Sequence, residues 1–143
     1  MSDLPRSIRI TEEGPREGFQ IEPGPFPTAR KIEFINALAQ TGLKRIQAVS
    51  FVNPKRVPQM ADAEDLCALL PMRDDVTFVG LVMNLRGAER AMVTGRIDQF
   101  GAVAVATDRF AIANQGQTSA ESVEAAKSII AFANAEGRTD GSL

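Results

Sequence analysis

Apolar and polar positions alternate over residues 7–11 (SIRIT), which predicts a strand. A polar turn follows, Glu12-Glu13-Gly14-Pro15-Arg16-Glu17-Gly18, and then Pro23-Gly24-Pro25-Phe26-Pro27, a run that suits neither a helix nor a central strand. Thr28 stands where a helix N-cap belongs. Ile32, Ile35, Leu38 and Ala39 recur behind it at helical spacing, with Gly42 at the C-cap. Residues 45–52 (RIQAVSFV) read as a second strand, broken by Asn53-Pro54. A helix is expected over 63–70, with Asp62 as its cap. Residues 76–83 (VTFVGLVM) are nearly all apolar, the pattern of a strand buried on both faces. A helix over 85–94 and an apolar strand over 100–106 (FGAVAVA) come next, then a polar loop to Gln117. Thr118 or Ser119 opens a last helix, and Thr118 with Glu121 has capping-box spacing. Val123, Ala126, Ile129, Ile130 and Ala133 form its apolar stripe, Gly137 ends it, and residues 138–143 trail off.

Strand, loop and helix thus recur four times. Such alternation predicts parallel strands joined by crossovers, hence an α/β fold in one domain over 1–143. The loops after strands are long and polar, and those after helices are short. This asymmetry fits a (β/α)8 TIM-barrel type with about its first four β/α units present. A whole barrel needs about 250 residues, and the chain ends where a fifth strand would start. Four units alone would leave open edges and exposed inward strand faces. The expectation is therefore a truncated product or an assembly that completes the barrel, through a homo-oligomer or a second barrel half. A small doubly wound sheet is the structural alternative.

Composition narrows the chemistry. Sixteen Lys and Arg stand against 18 Asp and Glu, a formal charge of −2, which argues against a nucleic-acid partner held by bulk charge. No stretch nears the roughly 20 apolar residues of a membrane span, and the N-terminus lacks the apolar core of a secretory signal. One cysteine allows no internal disulfide and points to the cytoplasm. The chain has no histidine, so an imidazole base, a His metal ligand or a Ser-His-Asp triad cannot come from it.

The candidate chemistry sits first in Gly14-Pro15-Arg16-Glu17-Gly18-Phe19-Gln20, behind the first expected strand. That is the active end of parallel α/β folds. Arg16 offers a rigid fork of donors for a carboxylate or enolate oxygen. Glu17 offers hard oxygens for Mg²⁺ or Mn²⁺. An adjacent Arg-Glu pair in a polar turn is also compatible with a solvated surface pair.

The string GPREGFQ resembles the GPRDGLQ signature of hydroxymethylglutaryl-CoA lyases, members of a metal-dependent superfamily of lyases and acyltransferases. TARKIEFINALA at 28–39, TGLKRIQAVSFVNPKRVPQ at 41–59 and Asn84-Leu85-Arg86-Gly87 resemble that family in order and spacing. SFVNPKRVPQM is close to the family's SFVSPKWVPQM. The resemblance covers nearly the whole chain, but only the N-terminal half of such an enzyme. It implies a carbon–carbon lyase that cleaves a 3-hydroxyacyl-CoA to acetyl-CoA and a keto acid with a divalent metal, Mg²⁺ or Mn²⁺. It implies Arg16 as the catalytic group that stabilises the enolate, and Glu17 as a metal ligand. Gln20, Gln47, Ser50, Asn84, Thr107 and Asp108 fall at substrate-binding positions.

Three departures matter. Glu17 replaces the family's aspartate, and one extra methylene shifts a ligand to an ion that demands near-ideal geometry. Gln47 replaces a usual acid and cannot take a proton. The family's two metal-binding histidines and reactive cysteine belong to its second half, so the full metal site is not in this chain, and the isolated chain is expected to be inactive. A non-catalytic half-barrel that acts as an assembly or binding module is the alternative. Cys67 reads as a small buried residue. Lys55 and Arg56 read as solvated cations, or as contacts for the phosphates of a CoA tail. Asp62, Glu64 and Asp65 read as caps and first-turn acids.

Overall fold

The computed structural model describes residues 4–138. The trailing segment expected at 138–143 therefore lies almost wholly outside the described residues. Three strands form one parallel sheet in the order β1 (Arg45–Ser50), β2 (Thr77–Val82), β3 (Gln99–Ala102). Before β1 come a π-helical turn, Gly14–Gly18, and α1 (Thr28–Ala39). A short 3-10 turn, Pro58–Met60, and α2 (Ala63–Leu69) connect β1 to β2. The connection from β2 to β3 is α3 (Leu85–Val93), and α4 (Asp108–Gln115) and α5 (Ser119–Ala135) follow β3.

The helices close over one face of the sheet. Ile35 and Ala39 of α1, Leu66 and Cys67 of α2, Ala88 and Ala91 of α3, and Ala126, Ile129 and Ala133 of α5 join Ile46 and Phe78 in one apolar core. Phe132 of α5 stacks on Phe100 of β3, ring centroids 6.4 Å apart. A doubly wound sheet would need helices on both faces. One core on one face fits the (β/α)8 type instead.

Four expectations are corrected. Residues 7–11 form no strand. Ile8 and Ile10 meet water rather than a packing surface, and only Glu12 reaches β1, as a single parallel bridge to Ile46. Glu12 N–H donates to the Arg45 carbonyl (3.0 Å), and Gln47 N–H donates to the Glu12 carbonyl (2.7 Å). The sheet therefore has three strands rather than four. Residues 103–106 leave the ladder after Ala102, and a helix, α4, occupies part of the expected polar loop. Only Ala111 of α4 is buried, so the helix leaves no apolar periodicity in the sequence. It ends at Gly116, whose φ of 72° favours glycine. The caps of α1 and α2 also differ. Thr28 is the first residue of α1, and its hydroxyl donates to Asp62 Oδ2 (2.6 Å); the Asp62 carboxylate is taken up there and by Lys31, and makes no cap bond. The Thr118–Glu121 capping box forms as the spacing predicts. Finally, the inward strand face is not left bare. Val79 and Leu81 are buried, packed with Gln47 around Gly101.

Candidate active site

The π-helical turn opens on the Glu13 carbonyl. Glu13 C=O accepts from Arg16 N–H (3.0 Å) and from Glu17 N–H (2.7 Å), and Pro15 is buried at the turn's start. Phe19, just beyond it, packs on Phe26 and edge-on against Phe34 of α1, which anchors the loop to the helix layer. The turn lies against β1 and directs Arg16 over the strand.

Arg16 is nearly enclosed, with its side chain 12% exposed. Its Nε donates to Gln47 Oε1, its Nη1 pairs with Glu17, and its Nη2 donates to Glu13 Oε2 (2.9 Å). Burial holds the guanidinium pKa below its ordinary value, and the charge and hydrogen bond of Glu13 oppose that shift. The arrangement is a partly desolvated cation whose inner edge is fixed by a neutral amide.

A bulge in β1 decides which residues share this face. Gln47 pairs with Val79 and Ser50 with Leu81, with the register shifted between Gln47 and Val49. Paired residues in a parallel ladder point to the same side, and Val79 and Leu81 are two apart on β2. Gln47 and Ser50 therefore face inward together, although an unbroken strand would send residues three apart to opposite faces. Gly101 of β3 leaves room for this. A Cβ there would lie 3.3 Å from Gln47 Nε2. Ser50 is fully buried, and its hydroxyl has no hydrogen-bond partner among the described residues. An unpaired buried hydroxyl costs free energy, so its place beside Gln47 marks a polar spot on this face.

The other expected site residues are more scattered. Gln20 sits just past the turn with its Oε1 buried and unpartnered. Asn84 is the N-cap of α3, where its Oδ1 accepts from Gly87 N–H (3.0 Å). Asp108 Oδ1 accepts from Ser119 N–H (2.7 Å), which ties α4 to α5. Thr107 is exposed at the start of α4. These three lie beyond the C-terminal ends of β2 and β3, the same end as Arg16. Of the expected residues, Glu17 and Gln47 meet Arg16, and Ser50 shares the face of Gln47. Two elements escape the sequence reading. Glu13 is one, although its i, i+3 spacing to Arg16 is visible. The second is a buried ion pair: Lys31, 2% exposed, meets Asp62 Oδ1 and the Gln59 carbonyl, tying α1 to the segment after β1.

The metal expectation meets a poor fit. Among the described residues no group of three acidic, His or Cys side chains could hold an ion. The Glu17 carboxylate is half exposed and turned onto Arg16. Cys67 is inert, since burial pushes its thiol up to about 12. No helix of the described residues is long and apolar enough to cross a membrane.

No family model matches the chain. Curated relatives do. The chain is 37% identical over 122 residues to the 3-hydroxy-3-isohexenylglutaryl-CoA/hydroxymethylglutaryl-CoA lyase of Pseudomonas aeruginosa, covering 85% of this chain and 40% of that protein. This chain is homologous to the N-terminal half of hydroxymethylglutaryl-CoA lyases. Solved lyases agree in fold. The Brucella melitensis HMG-CoA lyase superposes with a TM-score of 0.86 at 38% identity, over 91% of this chain and 46% of that one. An HMG-CoA lyase from Acinetobacter baumannii, solved with coenzyme A and 3-methylmalate, gives 0.83 at 35% identity, over 90% and 42%. The fold is thus of the TIM-barrel type. The chain spans less than half the length of these lyases.

Proposed function

We propose that this chain carries the Arg16 side of the active site of a cytoplasmic carbon–carbon lyase of the hydroxymethylglutaryl-CoA type, and that the 143 residues alone are inactive. The substrate class is a 3-hydroxyacyl-CoA with one free carboxylate at the end opposite the thioester. A base removes the tertiary hydroxyl proton, the bond between C2 and C3 breaks, and a ketone forms at C3. The electron pair passes to the thioester enolate, which is protonated to acetyl-CoA. Gln47 cannot be that base, because its amide takes no proton at neutral pH. Arg16 balances the enolate charge, Gln47 holds the guanidinium in place, and the Ser50 hydroxyl supplies a polar contact on the same face. The residues present do not make a metal site, so no step here runs through an ion. The single observation that carries the reading is the enclosed Arg16 guanidinium fixed by Gln47 on the inner face of β1.

The test is a chimera in which these residues replace the corresponding segment of the Pseudomonas aeruginosa lyase. It is expected to cleave 3-hydroxy-3-methylglutaryl-CoA, and Arg16→Gln in that background to lower kcat about 100-fold. A folded chimera without cleavage, or an Arg16→Gln variant of unchanged rate, overturns the reading. The open outer edge of β3 favours a second reading, an assembly module that pairs with itself or with a second barrel half. Sedimentation of the chain alone tests it, and a strictly monomeric species at high concentration opposes self-pairing.

A further inference from the structure

Arg16 is occupied before any substrate arrives. Its Nε belongs to buried Gln47, so the end-on fork of Nη1 and Nη2 is the edge left for an anionic oxygen. Two carboxylates of the chain already sit there, Glu17 at Nη1 and Glu13 at Nη2. Three groups with one positive and two negative charges sum to −1, an unfavourable setting for an incoming anion. Glu17 falls at the position the family resemblance gives to a metal ligand. Glu13 has no other side-chain partner among the described residues.

We infer that Glu13 is a built-in competitor for the anion site: its carboxylate occupies the Arg16 fork, and an incoming ligand oxygen must displace it. This rests on reading Arg16 as the anion-receiving group. The Glu13 side chain is 48% exposed, so it can swing into water when displaced. A neutral thioester carbonyl cannot compete with a carboxylate for the guanidinium, whereas a carboxylate or a developed enolate can. Displacement of Glu13 costs every incoming ligand the same free energy, so the contact sets a threshold that a carboxylate or a developed enolate clears and a neutral carbonyl does not. The side chain is also separable from the fold. The turn opens on the Glu13 carbonyl, which every substitution retains.

The test titrates the 143-residue chain with glutarate, a plain dicarboxylate, and follows by NMR the backbone amides of the Gly14–Gly18 turn and, where Arg16 is present, its Nε–H cross-peak. Glu13→Gln is expected to bind roughly threefold to tenfold more tightly than the unsubstituted chain, and Glu13→Ala to do the same, because loss of the competing charge frees the fork. Arg16→Gln is expected to abolish saturable binding. Equal Kd values for the unsubstituted chain and both Glu13 variants overturn the role of Glu13 and leave Arg16 as an anion receptor. An Arg16 signal that moves in none of the three, in chains whose backbone amide spectra show an intact turn, overturns the Arg16 reading and this inference with it.

Discussion

The two faces of β1 are built on opposite principles. On the helix side, Ile46 and Ala48 join Ile35, Leu66 and their neighbours in the apolar core. On the inner side, the same strand presents Gln47 to Arg16 and turns Ser50 to the same face. The first face gains free energy from burial and is indifferent to charge. The second buries polar groups, leaves the Ser50 hydroxyl without a partner, and holds a cation partly out of water. A single strand thus contributes stability through one set of side chains and preorganised polarity through the other. The second set is costly to bury, and the apolar core offsets that cost.

The sharpest way to break this comparison is to truncate both faces at neighbouring positions. Ile46→Ala is expected to cost about 2–5 kcal/mol in urea unfolding. Gln47→Ala should cost less than half as much, because it removes no apolar packing from the core. Equal losses would mean that the inner face is a second core. The Lys31–Asp62 pair sharpens the comparison from another side, as a polar strut placed within the helix layer. Lys31→Met is expected to cost about 2 kcal/mol, below the usual range for a buried pair because Asp62 keeps Thr28 and some water. A loss too small to measure would show the strut to be idle.

The smallest effect lies at the outer surface, where Arg90 of α3 grips Glu64 of α2 through two bonds, 2.7 and 3.0 Å. That hydrogen bonding holds the Glu64 carboxyl below its ordinary value. A depressed carboxyl stabilises the fold fully above its unfolded pKa, near pH 4.5, and loses that contribution as pH falls through the lower folded value. Melting temperatures from pH 7 to pH 3 should fall less steeply for Glu64→Gln than for the unsubstituted chain. Identical slopes would assign the acid sensitivity to other carboxylates.

Much of the architecture was legible in the residues. The apolar runs around Val79 and Phe100 and the Thr118–Glu121 box announce their elements, because burial and capping leave periodic marks; of the expected α5 stripe Ala126, Ile129 and Ala133 are buried, while Val123 and Ile130 face water. Residues 7–11 misled, since alternation describes a strand only when a neighbour pairs with it, and only Glu12 finds one. Helix α4 was hidden because one buried alanine makes no stripe. Of the site, GPREG and Gln47 were visible as types, and Ser50 as a position. Their convergence was not, because it depends on a bulge that no local propensity encodes.

By themselves, the residues determined the order of β/α units, the kinship of the motifs and the absence of any imidazole chemistry, all of which follow from composition and local spacing. The tertiary structure decided which groups meet. It turned Gln47 and Ser50 to one face, set Glu13 and Glu17 on the Arg16 fork, and sent Asp62 to Lys31 instead of a helix cap. The physical reason is distance along the chain. Caps and stripes are settled within a few residues, whereas the Arg16 guanidinium meets its partner 31 residues away only through the tertiary fold.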